Sequence, residues 1–263
     1  MKLILDEKKK IEEILETGKI DKKPSATISL LAKYYNTLGK SEDQIIHEVD
    51  TFMTKNYSKY NEVTWGNLVE SIAKQAVKAN RKLIEVDSVG IYDSEIELIQ
   101  TFGDEKIQKL AFTFLVYAKI ANQINHLNNN WVLGKHITEI FKDANVTETG
   151  MKQNYTLHEM IKKDILVTTE RSISTSLSVE YYVGTEARSK EVLTITDFRQ
   201  LGLQWLKYLG TKGIKECTQC GQLIKLKTPN SNQKYCTECA KKIKNKTINE
   251  SKKKKRAIQK KMA

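Results

Sequence analysis

The sequence predicts an α+β protein that is mostly helical, and three observations predict it. Apolar residues recur at helical spacing over the first 80 residues. Three further helical patterns and two short apolar runs follow between residues 104 and 183. Two Cys-x-x-Cys pairs and a lysine-rich run come after them. The predicted parts of the chain are therefore residues 1–101, 102–186, 187–214, 215–240 and 241–263.

The first part, residues 1–101, is predicted to be a helical region. Pro24 suits the first turn of a helix that Gly39 ends. Ser41 and Gln44 form the capping-box pattern that begins the next helix. Periodic apolar residues normally pack in a core, and the members of these stripes include Ile28, Leu31, Tyr35, Ile45, Val49, Met53, Trp65, Val69 and Ile72.

The end of this region predicts two smaller elements. Residues 83–86 are predicted to form a short strand. Ser94 and Glu97 form a second capping-box pattern, on a short helix. The neighbouring acids Asp93 and Glu95 therefore fit a helix cap better than a catalytic cluster.

Residues 102–186 predict a winged-helix-like domain. Its predicted helices cover residues 104–121, 137–144 and 147–163, and its predicted strands cover residues 165–170 and 177–183. Three helices followed by a hairpin are the order of a winged helix, in which the third helix is the recognition helix. A connecting helix is predicted over residues 196–209.

The third helix of this domain supplies candidate nucleic-acid contacts. If Leu157, Met160 and Ile161 point inward, the residues that point outward are Lys152, Tyr155, Thr156 and Lys163. The predicted hairpin tip adds Arg171. Glu148 and Glu159 share the predicted exposed face, and winged helices also bind proteins, so both kinds of partner stay open.

The four cysteines follow the pattern Cys217-x2-Cys220-x15-Cys236-x2-Cys239. Two residues between cysteines allow both thiolates of a knuckle to reach one ion, and four thiolates close a zinc tetrahedron. The pattern predicts a zinc ribbon over residues 215–240 that holds one structural zinc. The alternative is a pair of redox-active dithiols. The sequence around the cysteines does not show the βαβ pattern of thioredoxin-like proteins that contain such dithiols.

The charge of the chain is concentrated in its last part. The whole chain carries +12, from 44 basic and 32 acidic residues, and residues 215–263 hold 15 basic and 3 acidic residues, which also gives +12. The remaining 214 residues are therefore neutral. A run of this kind predicts contact with phosphates, which carries no sequence specificity by itself. The alternative is a solubilising disordered tail. The predicted contacts are Lys241, Lys242, Lys252, Lys253, Lys254, Lys255 and Arg256.

Several other functions are not predicted. The four histidines are scattered, and no phosphate-binding glycine loop or nucleophile motif occurs. The sequence therefore predicts no enzyme and no small-molecule substrate. It contains no signal-peptide or membrane-spanning pattern, and its tail lacks the aromatic residues of a membrane anchor. A cytoplasmic protein that does not bind membranes is expected.

Five segments resemble uncharacterised proteins of Gram-positive phages and mobile elements. The segments are residues 109–113, 129–132, 140–145 and 197–202, and Lys234-Tyr235-Cys236-x-x-Cys239, which is similar to the zinc ribbons of many such proteins. The resemblance covers roughly residues 25–245. It implies a role in replication, transcription or host takeover, and it implies no particular activity.

Together these observations predict a non-enzymatic nucleic-acid-binding protein. Double-stranded DNA is the favoured partner, in phage or mobile-element replication or transcription control. One alternative is an interaction protein that binds and inhibits or redirects a host protein complex, including anti-defence roles. RNA is the other alternative, because a zinc ribbon and a basic tail serve either polymer.

Overall fold

A computed structural model describes residues 6–125, 130–133, 136–168, 178–180, 190–226, 228 and 231–262. At residues 131, 133, 178–180 and 253–262 it describes the backbone alone. Helices predominate among these residues, so the mostly helical fold class is confirmed. The chain divides into two compact units, residues 2–87 and residues 88–263.

The first unit is helical over its described residues, and its helices begin where the sequence places caps. Helix α1 begins after Asp6, whose carboxylate accepts a hydrogen bond from Lys9 N at 2.8 Å. Both bonds of the capping box form between Ser41 and Gln44, as predicted. The helices are α1 (Glu7–Thr17), α2 (Pro24–Thr37), α3 (Glu42–Asn56) and α4 (Glu62–Lys78).

The predicted apolar stripes of the first unit form its core, and an ion pair lies beside it. The fully buried members include Ile11, Ile28, Leu31, Ile45, Val49, Met53 and Ala73. Glu7, only 9% exposed, accepts hydrogen bonds from Lys33 Nζ at both oxygens and from Ile84 N. The strand predicted at residues 83–86 does not form in this described segment, where Glu85 makes one isolated bridge with Asp6.

The second unit contains six helices and seven short strands within its described residues. These elements are β1 (Val89–Tyr92), α5 (Asp93–Gln100), α6 (Glu105–Asn125), β2 (Trp131–Leu133), α7 (Ile137–Asp143), α8 (Met151–Lys162), β3 (Val167–Thr168), β4 (Ser178–Glu180), β5 (Glu191–Ile195), α9 (Leu201–Tyr208), β6 (Ile214–Glu216), β7 (Leu223–Lys225) and α10 (Thr237–Met262).

The strands form three small antiparallel sheets. Strand β1 pairs with β5, with Val89 opposite Ile195. The second sheet has the order β2-β4-β3, so Glu180 of β4 lies opposite both Trp131 and Val167. Strands β6 and β7 form a hairpin in the final part of the unit.

Helix α6 is the centre of the second unit. It is buried over most of its circumference, as its nearly continuous apolar sequence predicts. Phe112 of α6 packs against Trp205 of α9 with ring centroids 5.3 Å apart. Helix α9 also meets the end of α7 closely, because a Cβ atom at Gly202 would lie 2.0 Å from the Ala144 carbonyl oxygen. Only glycine fits at this crossing.

A buried ion pair joins α5 and β1 to α6. Glu95 is fully buried, and its Oε2 accepts hydrogen bonds from Tyr92 N at 2.9 Å and from Lys119 Nζ at 2.6 Å. Lys119 Nζ also donates to Gly90 O at 2.7 Å. Burial lowers the pKa of Lys119 despite the opposing attraction of Glu95. The acid that caps the start of α5 is Glu95, through its hydrogen bond from Tyr92 N. The sequence predicts Glu97 in this role.

Two predicted helices of the second unit are shorter than expected. The helix predicted from residue 147 begins at Met151, because Gly150 adopts the left-handed φ of +54°. The helix predicted from residue 196 begins at Leu201, after Gln200 at the same φ. The predicted hairpin strands are described only in part: β3 begins at Val167 and not at residue 165, β4 lies within the predicted residues 177–183, and the tip with Arg171 lies outside the described residues.

Candidate metal centre and nucleic-acid interface

The β6–β7 hairpin positions the first cysteine pair. Cys217 directly follows β6, and its backbone N–H donates to Gln222 O at 2.8 Å while its carbonyl accepts from Gly221 N at 2.8 Å. Gly221 has φ +72°, which a residue with a Cβ atom rarely adopts. The tight turn brings Cys220 back toward Cys217, as the spacing predicts.

The second cysteine pair lies at the start of α10. Cys236 immediately precedes the helix, and Cys239 is in its first turn. Ala240 N donates to Cys236 O at 2.9 Å, which continues the helical pattern back to this cysteine. The second knuckle and the long helix are thus one continuous element.

The four thiol groups converge as a metal site requires. All four Sγ atoms lie within 4.8 Å of one another, and the Cys220 and Cys236 sulfurs are 3.8 Å apart. Four sulfurs at about 2.3 Å from a zinc ion would be separated by about 3.8 Å in a regular tetrahedron. Cys217, Cys236 and Cys239 are buried, so a bound ion would be shielded from water. The donor set fits a closed structural site.

Backbone N–H groups point at two sulfurs of the cluster. Cys236 N points to Cys217 Sγ at 3.2 Å, and Cys239 N points to Cys236 Sγ at 3.4 Å. Loss of solvation acts upward on the pKa of Cys217, but backbone N–H groups lower it to about 6. Loss of solvation raises the pKa of Cys239 to about 12, and its thiol neighbours add to the rise. The pKa values of these two thiols thus move in opposite directions. A bound divalent cation would favour the thiolate at every position.

Arg199 anchors the cysteine cluster to the rest of the unit. Its guanidinium forms a bidentate pair with Asp197, and its Nη2 donates to Cys220 O at 2.9 Å. The hydrogen bond with Asp197 raises the pKa of Arg199, so the side chain stays charged. No sequence motif marks Arg199 as a site residue, since its contact with Cys220 spans 21 positions along the chain.

The predicted contacts on α8 divide into exposed residues and one buried residue. Lys152, Tyr155 and Lys163 are exposed, as predicted, and the exposed fraction of Tyr155 is 65%. Thr156 was predicted to face outward, which is wrong. It is 3% exposed, and its hydroxyl donates to Glu148 Oε2 at 2.6 Å.

Glu148 also differs from its predicted place. It precedes α8 and does not lie on the exposed face of that helix, because its other oxygen accepts from Lys106 Nζ at 3.2 Å. Glu159 does lie on the exposed face. Three further polar residues of α8 are exposed although the sequence did not single them out: Asn154, His158 and Lys162. Helical spacing from Met151 and Tyr155 is the signal that would have found them.

The basic tail is a helix. Helix α10 runs from Thr237 to Met262, and every side chain described from Ala240 to Lys252 is exposed. The predicted contacts Lys241, Lys242 and Lys252 are among these exposed side chains. Those of Lys253, Lys254, Lys255 and Arg256 lie outside the described side chains, although their backbone is helical. Because the backbone from Thr237 to Met262 is helical, the alternative of a disordered tail does not apply to α10.

Comparison of the chain with models of protein families, with curated proteins and with solved structures found no match. Within the part of the chain that the structure describes, no helix is both long and apolar enough to cross a membrane.

Proposed function

We propose that this protein is a non-enzymatic nucleic-acid-binding protein whose partner is double-stranded DNA. The observation that carries the proposal is α10, a long helix rich in lysine whose described side chains beyond the cysteine cluster are exposed. Lysines on such a helix meet phosphates and release the counterions that surround DNA. The predicted origin in a phage or mobile element, and the role in replication or transcription control, stay part of the proposal.

We propose that residues 105–180 form a winged helix that positions the protein on DNA. The order α6, β2, α7, α8, β3, β4 supports this proposal, because the middle strand of the sheet is the last in sequence, as it is in winged helices. Helix α8 would then be the recognition helix, with Lys152 and Tyr155 on its free surface. Lys162 and Lys163 at its C-terminal end would contact phosphates.

We propose that the ion held by Cys217, Cys220, Cys236 and Cys239 is one structural zinc. Four cysteine sulfurs in a buried cluster favour zinc over the hard cations magnesium and calcium. A closed four-thiolate site leaves no position for water, so the ion would supply folding energy and no catalysis.

A salt titration tests the DNA-binding proposal. The affinity of the full chain for a labelled duplex is measured from low to high salt, beside a variant that lacks residues 241–263. We expect the truncation to weaken binding to every sequence. It should also flatten the slope of log affinity against log salt, by about 0.9 for each phosphate that the shortened protein no longer binds.

A variant of full length controls for the removal of the segment itself. It carries glutamine in place of the five consecutive basic residues Lys252, Lys253, Lys254, Lys255 and Arg256. If charge carries the binding, this variant shows part of the same change in slope. Equal slopes for all three proteins would contradict the proposal that the basic helix contacts phosphates.

A second candidate function is favoured by the neutral charge of residues 1–214, which suits a contact with a protein better than one with a polyanion. In this case the protein binds and redirects a host protein complex. Affinity capture with and without nuclease separates the two functions. Partners retained after nuclease treatment favour the protein complex, whereas loss of all partners favours nucleic acid. Competition by an RNA duplex tests RNA as the polymer.

A further inference from the structure

We propose that α10 reads DNA sequence as well as binding phosphates, and that Asn245 and Asn249 are its base-reading residues. This inference rests on the proposed function, since it assigns sequence recognition to the same basic helix. It goes beyond the expectation from the sequence, in which a basic tail binds all sequences alike.

Four side chains share one face of α10. Lys242, Asn245, Lys246 and Asn249 line one groove along the surface of the helix together with Glu250. Lys242 is three positions before Asn245 and four before Lys246, and Asn249 follows these two by four and three positions, which places all four on one face. We call these four residues the asparagine face. Its two asparagines form one row along the helix, and its two lysines form the adjacent row, which Glu250 continues four positions after Lys246.

The chemistry of the asparagine face matches the edge of a base and its phosphates. An asparagine amide presents donors and an acceptor, which match N7 and N6 of adenine in the major groove. The neighbouring ammonium groups match the phosphates beside that groove. Asn245 and Asn249 are about 6 Å apart along the helix axis, so they would meet bases about two pairs apart.

The shape of α10 suits the major groove. Every described side chain from Ala240 to Lys252 is exposed, so within this stretch no other described part of the protein covers the asparagine face. From Ala240 to Met262 the helix is about 33 Å long, close to one turn of B-DNA. The major groove of B-DNA admits an α-helix, whereas the deep and narrow major groove of RNA does not. The occupant of this face is therefore duplex DNA.

The two asparagines can be replaced without weakening the helix, because alanine has the higher helix propensity. Asn245→Ala and Asn249→Ala remove the amides and favour the helix, so any loss of recognition cannot come from loss of α10. The matched control is Thr247→Ala with Ser251→Ala, which lie off the asparagine face and donate their hydroxyls to Ile243 O and Thr247 O. Circular dichroism checks the helix content of every variant.

The experiment is selection of duplexes from a library with a randomised central segment, using the full zinc-loaded chain. We expect the wild-type protein to enrich sequences that contain adenines. The double asparagine variant should lose preference for these positions, by roughly tenfold for each asparagine. Its salt slope should stay unchanged, because both lysines of the face are kept. The control pair should enrich the same sequences as the wild type.

Two charge variants complete the design. Lys246→Ala should weaken binding to selected and unselected duplexes alike and lower the salt slope by about 0.9. Glu250→Gln should strengthen binding to all duplexes, because it removes the acid that lines the same groove and follows the two lysines in their row.

The outcomes separate this inference from the proposed function. If the double asparagine variant enriches the same sequences as the wild type, or if the wild type binds all duplexes equally, the inference is overturned and DNA binding stands. Stronger binding to duplex RNA than to duplex DNA also overturns it. If the full chain binds no duplex at any salt concentration, the proposed function itself fails.

Discussion

Thr156 and Tyr155 are neighbours on α8 with opposite environments. Thr156 is buried and bonded to Glu148, whereas Tyr155 is 65% exposed. We expect Thr156→Val to destabilise the second unit by about 1–3 kcal/mol, because it leaves the partly buried carboxylate of Glu148 without one of its donors. Urea denaturation measures this loss. If the protein binds DNA as proposed, its affinity should not change under conditions in which the variant is folded.

Tyr155→Ala is the matched variant for Thr156→Val. Its stability should stay within about 0.5 kcal/mol of the wild type, because the side chain is exposed. If α8 is the recognition helix, discrimination between specific and non-specific DNA should fall. A Tyr155 variant that loses stability but keeps its discrimination would contradict both the burial seen here and the proposed role of α8.

The pair of Lys119 and Glu95 gives a second prediction for single residues. Lys119→Met leaves the fully buried carboxylate of Glu95 without its cation. We expect a loss of about 3–5 kcal/mol in the free energy of unfolding. Adding Glu95→Gln to this variant should restore part of the loss, because the uncompensated charge is removed. Denaturant unfolding of the single and double variants measures the difference, and an equal loss in both would contradict this reason.

The close crossing of α7 and α9 gives a prediction for the packing of elements. Gly202→Ala places a methyl group against the backbone at Ala144, so we expect a loss of about 1–3 kcal/mol. Gly66→Ala is the matched control within α4, where the nearest neighbouring atom, Glu62 Cγ, is 3.9 Å away. Because the space around Gly66 is open, Gly66→Ala should raise the free energy of unfolding by roughly 0.5–1 kcal/mol. Hydrogen exchange of α9 measures the effect of Gly202→Ala, and that of α4 measures the effect of Gly66→Ala. Lower protection of α4 in the Gly66→Ala variant would contradict the expected difference.

The cysteine cluster supports two elements at once, the β6–β7 hairpin and the first turn of α10. We expect one zinc per chain in protein purified without added metal, measured by elemental analysis. Cys236→Ser should unfold residues 215–240 and leave α6 protected, which limited proteolysis and hydrogen exchange can follow. Absence of zinc, or disulfides within the pairs in freshly prepared cell extract to which neither oxidant nor reductant was added, would contradict a structural metal site.

The sequence predicts elements well where the signal is local. The capping box of α3, the buried helix α6 and the four cysteines are each visible within a few turns of chain. Strands β1 and β5 are not, because they are short and pair across about 100 residues. The burial of Thr156 depends in the same way on Glu148 and Lys106, whose positions no periodicity reveals.

At the scale of the whole molecule, the chain divides after Asp87. The sequence predicts this boundary at residue 101, because the short helix α5 looks like a continuation of the N-terminal helices. Pairing of β1 with β5 instead joins residues 88–101 to the second unit. The concentration of net positive charge after residue 214, in contrast, follows directly from the sequence, because it depends only on the number of basic and acidic residues in each part of the chain.

The core of the first unit predicts that the unit folds alone. Its buried apolar residues run from Ile11 to Ala76. A fragment of residues 1–87 should therefore show a helical spectrum and a cooperative thermal transition, measured by circular dichroism. A gradual, non-cooperative loss of signal would contradict this division of the chain.

All the net charge of the chain lies after residue 214, in the segment that holds the β6–β7 strands from Lys215 onward, the cysteine cluster and α10. If the protein binds a polyanion as proposed, the field of that partner acts mainly on this basic segment, so most productive collisions would begin there. The rate of encounter would then depend steeply on ionic strength, while the lifetime of the final complex depends on the shorter-range contacts formed afterwards. Stopped-flow measurements of association and dissociation at several salt concentrations would separate these two stages of target search.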